Sequence, residues 1–324
     1  MKPAIRFGMK LVLLFLLALL VQTTLYAADN RPSELRSPGT PEKIVLQKYP
    51  QLKIGFTTAN FAKVYPTNVA NLKKLLDFAA ERGFAFIEIR DGEAKLTLDE
   101  CKELATYAKQ KRVEVIYAMN TGLLDSNYWE VFSRGVVNAA VFDGPKVVRT
   151  GANGNEMLND PKKTYWSAAE FAKLVANANR AAKIAQQHSL RLLVENAREG
   201  LHGDGVASFG TAELFGRKGV RSGVGLQLDA GNFFCTSRVP STPSAAQDFL
   251  EKNARKIGYT HLKTSKNRKP QPVLDGNELP FDTYFKLFQK YKKNYVAIEL
   301  DPAGTADQAY ANHVKSVAYL TKTF

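Results

Sequence analysis

Short apolar runs alternate with longer amphipathic segments along most of the chain. The runs are continuous, as expected of parallel strands that are buried on both faces of a sheet. Between them, apolar residues recur at helical spacing, most clearly over residues 171–185. Eight strands are predicted in this way, at residues 53–56, 84–89, 113–117, 146–148, 192–194, 224–229, 257–261 and 295–299.

Helices are predicted between these strands. Two of them begin with a capping box, at Thr97–Glu100 and Ser167–Glu170. Others are predicted at residues 69–82, 128–141, 211–215, 245–255, 281–292 and 307–323. Eight strand–helix units suit the size of a TIM barrel, whereas the alternative, an open doubly wound sheet, lacks a glycine-rich fingerprint after its first strand. We therefore predict an α/β fold, with a single (β/α)8 TIM barrel over residues 51–324.

The first 28 residues have the organisation of a Sec-type signal peptide. Three basic residues precede an apolar run at 11–21, and small residues follow at Ala27 and Ala28. The run is short for a membrane span, although an uncleaved anchor is the alternative. No cysteine follows the run and no Arg-Arg pair precedes it, which argues against a lipoprotein or a twin-arginine route. We expect a linker or N-terminal arm at 29–50, and a secreted or periplasmic protein without stable membrane association after cleavage.

The formal charge of +14 falls to +11 when residues 1–28 are removed. Basic residues are scattered over the chain, and the densest group is the loop from Lys263 to Lys269. A scattered excess indicates a solvated surface and not a nucleic-acid partner. Cys101 and Cys235 would be able to pair in an oxidising compartment, but the geometry decides this and the question stays open.

Four polar residues end four consecutive predicted strands. Glu195, Asp229, His261 and Glu299 lie 34, 32 and 38 residues apart, which is one strand–helix unit each. A single strand-end acid is usually salt-bridged or solvated, but in a TIM barrel these four would converge on one site. Three carboxylates and an imidazole form a hard ligand set. We predict a divalent metal site, with Mn²⁺ as the first candidate and Mg²⁺, Co²⁺ or Zn²⁺ as alternatives.

Further polar residues follow the strands and are candidates for contact with a substrate. Each has a structural alternative, such as a surface lysine, an ion-pair layer or a residue that orients its neighbour. The candidates are Lys263, Asn196, Glu88, Arg90, Arg149, Asn232 and His202, the last in a glycine-rich loop that would form a lid. Two histidines in predicted helices, His188 and His313, are expected at the surface.

The strand-end motifs resemble a known family. Leu-Val-Glu-Asn at 193–196, Leu-Asp-Ala-Gly-Asn at 228–232, Thr-His-Leu-Lys at 260–263 and Ala-Ile-Glu-Leu at 297–300 resemble the signature strands of the sugar phosphate isomerase/epimerase family. This family belongs to the xylose isomerase-like TIM barrel superfamily. The resemblance implies that Glu195, Asp229, His261 and Glu299 bind the metal. It also implies that Glu195 and Glu299 remove and return a proton beside a substrate carbonyl.

Two positions depart from the family pattern. Asn232 stands where the family often has histidine, and Thr264 stands where it often has aspartate. These departures put the substrate in doubt and leave the metal ligands intact. Asn232 is kept as a candidate substrate contact.

The expected function is a secreted, divalent-metal-dependent isomerase or epimerase of a sugar or keto-sugar, working through a metal-stabilised enediolate. Its partner would be a small carbohydrate, and a homo-oligomer is compatible with the sequence. One alternative is a lyase, dehydratase or hydratase acting on an oxidised (keto) sugar. An endonuclease-IV-like nuclease is disfavoured because the chain has only four histidines. A secreted binding protein without turnover is the last alternative.

Overall fold

The computed structural model describes residues 41–152, 166–196, 214–215, 223–235 and 241–324. Eight parallel strands form a closed barrel in chain order, because the first strand pairs with both the second and the last. This confirms the predicted TIM barrel. The strands are β1 (Lys53–Thr57), β2 (Phe86–Arg90), β3 (Glu114–Gly122), β4 (Val147–Gly151), β5 (Arg191–Glu195), β6 (Val224–Asp229), β7 (Ile257–Leu262) and β8 (Tyr295–Ile298).

In the described ranges, six α-helices lie between the strands and a seventh follows the last strand. They are α1 (Val69–Glu81), α2 (Leu98–Gln110), α3 (Tyr128–Ala140), α4 (Ala168–Gln187), α5 (Pro243–Asn253), α6 (Phe281–Lys290) and α7 (Ala306–Thr323). Both predicted capping boxes are present, at the start of α2 and of α4. Among the helices described, none has both the length and the apolar character that crossing a bilayer requires.

Several predicted features fall outside the described residues. They are the signal peptide at 1–28, residues 29–40 of the linker, His202 with its loop, and most of the helix predicted at 211–215. The end of the linker is described, and it packs on the barrel. Leu46 and Tyr49 are buried, and the Ile44 amide donates to the carbonyl of Gly83 at 2.9 Å.

Two short elements were not predicted from the sequence. Thr58–Phe61 forms one turn of 3₁₀ helix directly after β1. In the basic loop, Ser265–Lys266 and Lys269–Pro270 form a small antiparallel hairpin. Both residues of its turn, Asn267 and Arg268, have positive φ angles, as a type I′ hairpin requires. Segments this short carry no periodicity, so the apolar pattern could not reveal them.

Aromatic and aliphatic side chains fill the inside of the barrel, and glycines make room for them. Phe86, Leu193 and Tyr259 are buried there together. A Cβ atom added to Gly55 would lie 2.5 Å from Phe86 Cδ1, and one added to Gly225 would lie 2.6 Å from Leu193 Cδ2. Large and small residues on neighbouring strands therefore interdigitate to close the barrel below the site.

The two cysteines do not pair. Cys101 and Cys235 are both buried, and no disulfide bond joins them. Burial raises the pKa of Cys101 to about 12, and the nearby carboxylates of Asp91 and Glu100 add to the effect. Cys101 is therefore a buried apolar packing residue of α2 and not a reactive thiol.

Candidate metal centre

Four side chains meet at the carboxyl end of the second half of the barrel. Glu195 is the last residue of β5, Asp229 is the last of β6, His261 lies near the end of β7, and Glu299 directly follows β8. One ligand atom from each lies within 4.8 Å of the others. The structure therefore brings together the four residues that the sequence selected as ligands.

The buried atoms of this cluster fit a cation. His261 Nδ1, Asp229 Oδ2 and Glu299 Oε2 are buried and make no hydrogen bond of acceptable geometry. His261 Nδ1 lies 3.8 Å from both Glu195 Oε1 and Asp229 Oδ2, and it adjoins Glu299 Oε2. A divalent ion would satisfy these atoms at once, and three carboxylates with one imidazole suit such an ion.

Glu88 lies behind His261 and fixes the orientation of its ring. His261 Nε2 is 2.7 Å from Glu88 Oε2, and the Tyr259 hydroxyl donates to the same oxygen at 2.5 Å. Thr57 and Arg90 donate to the other oxygen at 2.9 and 3.1 Å. This arrangement turns Nδ1 toward the cluster, as in carboxylate–histidine–metal sites. Both oxygens of Glu88 are occupied, which supports its ion-pair alternative over contact with a substrate.

The charges around His261 favour a cation at this point. Burial opposes a charge on the imidazole, but the carboxylates of Glu88 and Glu299 outweigh it and raise the pKa of His261 to about 10. Burial likewise opposes ionisation of Glu88, but His261 and Arg90 lower the pKa of Glu88 below its usual range. A proton or a metal ion can supply the positive charge, and the two compete for Nδ1.

Arg149 and Arg90 each form an ion pair with one of the two glutamates. Arg149, at 1% exposure, forms an ion pair with Glu195 and donates to the Met119 carbonyl at 2.7 Å. Arg90 Nη2 lies 3.6 Å from Glu299 Oε2. Burial, together with the nearby charge of Arg90, lowers the pKa of Arg149 to about 10. These contacts place Arg149 against a ligand and not at an open surface.

Lys263 bridges two of the ligands. Its ammonium group lies 2.7 Å from Asp229 Oδ2 and 2.8 Å from Glu299 Oε1, and it donates to Asn232 Oδ1 at 3.1 Å. Burial opposes the charge, but the two carboxylates outweigh it and raise the pKa of Lys263. Burial also opposes ionisation of Glu299, yet Lys263 and His261 hold its pKa well below the usual value. Lys263 therefore forms ion pairs with two ligand carboxylates and donates one hydrogen bond, to Asn232.

Asn196 positions Asp229. Its amide donates to the Asp229 carbonyl at 3.0 Å, and its oxygen accepts from the Asp229 amide at 2.6 Å. Asp229 Oδ1 accepts from the amides of Gly231 and Asn232 at 2.9 and 3.0 Å. Oδ2 is the oxygen left to face the cluster. From the sequence, Asn196 was expected to contact the substrate or to orient its neighbour Glu195. In the structure this fully buried side chain orients Asp229 instead.

The profile of the xylose isomerase-like TIM barrel family matches residues 76–320. The chain belongs to this family. The match confirms the resemblance that the four strand-end motifs carry. No curated protein matches the chain by sequence.

Several solved structures share the family barrel. L-ribulose 3-epimerase is 13% identical with a TM-score of 0.63, and the match covers 84% of this chain and 95% of that one. 3-Keto-D-glucoside 4-epimerase from E. coli is 16% identical with a TM-score of 0.60, and the match covers 84% of this chain and 99% of that one. A xylose isomerase-like TIM barrel protein from Mycobacterium smegmatis, solved in complex with magnesium, is 17% identical with a TM-score of 0.61. That match covers 84% of this chain and 97% of that one. At these identities the likeness shows the common fold.

Three side chains of the family barrel support the site but were not selected from the sequence. Thr57 and Tyr259 donate to Glu88, and Asn60 bonds to the backbone beside Glu299. Thr57 directly follows the apolar run of β1, so the strand-end criterion would have found it. Tyr259 lies within a strand and Asn60 lies in the short 3₁₀ turn, and neither position carries a periodic signal.

Proposed function

We propose that the protein is a divalent-metal-dependent isomerase or epimerase of a sugar or keto-sugar. The observation that carries the proposal is the convergence of Glu195, Asp229, His261 and Glu299 on one point. The solved relatives that are named as sugar epimerases support it at the level of the fold. A small carbohydrate is the proposed substrate class, and a homo-oligomer remains a prediction.

The two glutamates are the proposed acid and base. A divalent ion held by the four ligands would act as a Lewis acid on oxygens of the substrate. Glu195 and Glu299 stand at the two ends of the cluster, on β5 and after β8, with the other ligands between them. One takes the proton from the carbon beside the carbonyl and the other returns a proton. Arg149 orients the first glutamate, and Lys263 orients the second.

The charge of the site supports this chemistry. Four carboxylates surround His261, from Glu88 and the three acidic ligands, and three cations balance them, from Arg90, Arg149 and Lys263. With neutral His261 the sum is one negative charge, which a divalent ion changes to one positive charge. A buried positive charge favours the negative charge that develops on a substrate when it loses a proton.

The direct test is metal analysis of the purified protein, followed by solvent-deuterium exchange into a panel of keto-sugars. We expect one divalent ion per chain and exchange at the carbon beside the carbonyl. Exchange without a released product supports isomerisation or epimerisation, whereas released water or alcohol would indicate a lyase. A protein that binds no divalent ion under any loading condition would contradict the proposal.

Variants of Glu195 and Glu299 test their assignment as the acid and the base. Glu195→Gln and Glu299→Gln should each reduce exchange by at least about 100-fold, in the range expected for a general acid or base. Glu114→Gln is the matched control, because Glu114 pairs with Lys53 and Tyr295 at the amino end of the barrel. Retained exchange in both Glu195→Gln and Glu299→Gln would exclude the assigned acid and base.

We also propose that the chain is exported after cleavage of residues 1–28. The proposal rests on the basic start, the apolar run and the small residues at Ala27 and Ala28. Expression of the full chain in a bacterial host, with cell fractionation and intact-mass measurement, tests it. The measured mass should match a chain that begins after Ala27 or Ala28. A full-length protein in the membrane fraction would indicate the uncleaved anchor instead.

A further inference from the structure

One buried asparagine holds the backbone on both sides of Glu299. Asn60, at 2% exposure, lies in the 3₁₀ turn after β1. Its Nδ2 donates to the Ile298 carbonyl at 2.9 Å, and its Oδ1 accepts from the Leu300 amide at 2.9 Å. The Glu299 amide itself donates to the Leu262 carbonyl at 2.9 Å. The peptide units around Glu299 are therefore held by the turn after β1 and by β7.

His313 fixes the orientation of the Asn60 amide. Its Nδ1 lies 2.7 Å from the Ala309 carbonyl, which can only accept, so Nδ1 carries the proton. Its Nε2, 2.8 Å from Asn60 Nδ2, is then the acceptor. This assignment agrees with the contacts of Asn60 to Ile298 and Leu300. His313 itself packs among aromatic side chains, stacked on Phe61 with a centroid separation of 4.8 Å.

The same turn supports a second ligand. Thr57, at its start, donates to Glu88 at 2.9 Å, and Glu88 holds His261. The Thr58 hydroxyl accepts from the Arg90 amide at 2.9 Å. The turn after β1 and the residue before it therefore help to position two ligands, Glu299 through Asn60 and His261 through Thr57 and Glu88. Neither Asn60 nor Thr57 is itself a proposed ligand.

We propose that Asn60 is a positioning residue for Glu299, and that it acts on the metal centre through the backbone. By fixing the peptide units before and after Glu299, it aims the carboxylate at the cluster. Asn196 holds the backbone of Asp229 in a comparable way. The inference rests on the proposed role of Glu299 as a ligand. It adds that metal binding depends on Asn60, a residue that contacts neither the metal nor the substrate.

The test compares two buried asparagines. Asn138, at 3% exposure, donates to the Leu96 carbonyl at 2.7 Å and lies 3.2 Å from the Tyr117 hydroxyl. Asn60→Ala and Asn138→Ala therefore both remove buried amide hydrogen bonds, and both should lower the melting temperature. The readout that separates them is Mn²⁺ affinity, measured by competition titration with a chelating dye on the folded proteins.

We expect Asn60→Ala to weaken Mn²⁺ binding by about 10- to 100-fold, as loss of a group that orients a ligand does elsewhere. Asn138→Ala should stay within about 2-fold of wild type. Equal Mn²⁺ affinity in wild type, Asn60→Ala and Asn138→Ala, with melting temperatures lowered alike, would overturn the inference and assign Asn60 a structural role only.

A second variant covers the case in which Asn60→Ala does not fold. Asn60→Asp keeps the shape and the acceptor for the Leu300 amide but loses the donor to Ile298 and His313. It should also weaken Mn²⁺ binding, and wild-type affinity in folded Asn60→Asp would count against the inference. Failure of wild type to bind Mn²⁺ would instead remove the proposed function itself.

Discussion

Glu88 has no oxygen available for a substrate, yet it determines which nitrogen of His261 faces the cluster. Its position near the end of the predicted second strand was visible in the sequence, but its partners were not. Tyr259 reaches it from β7, across the barrel, at 2.5 Å. A negative charge behind an imidazole makes the far nitrogen a stronger ligand. Glu88 is therefore a support of the metal centre, with an effect on affinity that can be measured.

Glu88→Gln should weaken Mn²⁺ binding by about 10- to 100-fold, because it removes the charge behind His261. The measurement is a competition titration at neutral pH. Glu114→Gln, at the opposite end of the barrel, should leave the affinity unchanged. An affinity in Glu88→Gln equal to that of wild type would show that ring orientation by Glu88 is dispensable.

Strand-end position predicted which residues reach the mouth of the barrel, but not what each one contacts there. Glu195, Asp229, His261 and Glu299 could be selected because each follows an apolar run. Lys263, Asn196 and Arg149 were selected by the same criterion as substrate contacts, whereas their polar groups contact ligands in the structure. Which neighbour a strand-end group meets depends on the register between strands that are distant in sequence, and the positions of the apolar runs alone do not reveal that register.

At the scale of the elements, helix α7 corrects one expectation. His313 was expected at the surface, but it is fully buried against β1 and the 3₁₀ turn. Asn312 and Ser316 lie on the same helix and are also buried. From the sequence alone, a polar side chain on the inner face of a helix is not distinguished from one on the outer face. The difference is set by partners such as Asn60, which come from the other end of the chain.

The buried His313 predicts a loss of stability in acid. Burial lowers its pKa to about 4, against 6.5 in the unfolded chain, and the hydrogen bond to the Ala309 carbonyl offsets this only in part. As the pH falls, the unfolded chain binds the proton first. The contribution of neutral His313 to the unfolding free energy is complete above about pH 6.5 and is lost as the pH falls toward 4. Between pH 7 and pH 5 the loss should be about 2 kcal/mol.

Urea unfolding at pH 7 and at pH 5 measures this effect. The drop in unfolding free energy should be smaller by about 2 kcal/mol in His313→Gln than in wild type. His188→Gln, at the exposed end of α4, should keep the wild-type drop. Equal pH dependence in wild type and His313→Gln would refute the assignment of a neutral His313 in the folded protein.

The inner layer of the barrel depends on the small residue in β1. A Cβ at Gly55 would lie 2.5 Å from Phe86 Cδ1, and closer still to the Phe86 carbonyl oxygen, which cannot move without shifting β2. Gly55→Ala should therefore cost about 1–3 kcal/mol of unfolding free energy in urea. Gly304→Ala is the matched control, because no atom lies within 4 Å of its added Cβ. Equal stability of the two variants would contradict this packing.

At the scale of the whole molecule, all eight strands contribute to one centre. The ligands come from β5 to β8, Arg149 from β4 and Glu88 from β2. Residues at the ends of β1 and in β3 hold these groups in turn, as Thr57 holds Glu88 and the Met119 carbonyl holds Arg149. The sequence predicted the barrel correctly because its repeat of apolar runs and helices is long and regular. A bound metal should therefore affect the stability of the entire barrel and not that of one loop.

A ligand that binds only the folded chain stabilises it by about 2.7 kcal/mol at 100 times its dissociation constant. For a barrel of this size, Mn²⁺ at that concentration should raise the melting temperature by roughly 5 °C, and a chelator should reverse the change. The four ligands come from four strands, so the unfolded chain holds no comparable site. Asp229→Asn should abolish the shift, whereas Asn138→Ala, although less stable, should keep it. An equal shift in Asp229→Asn would mean that Mn²⁺ stabilises the barrel from another site.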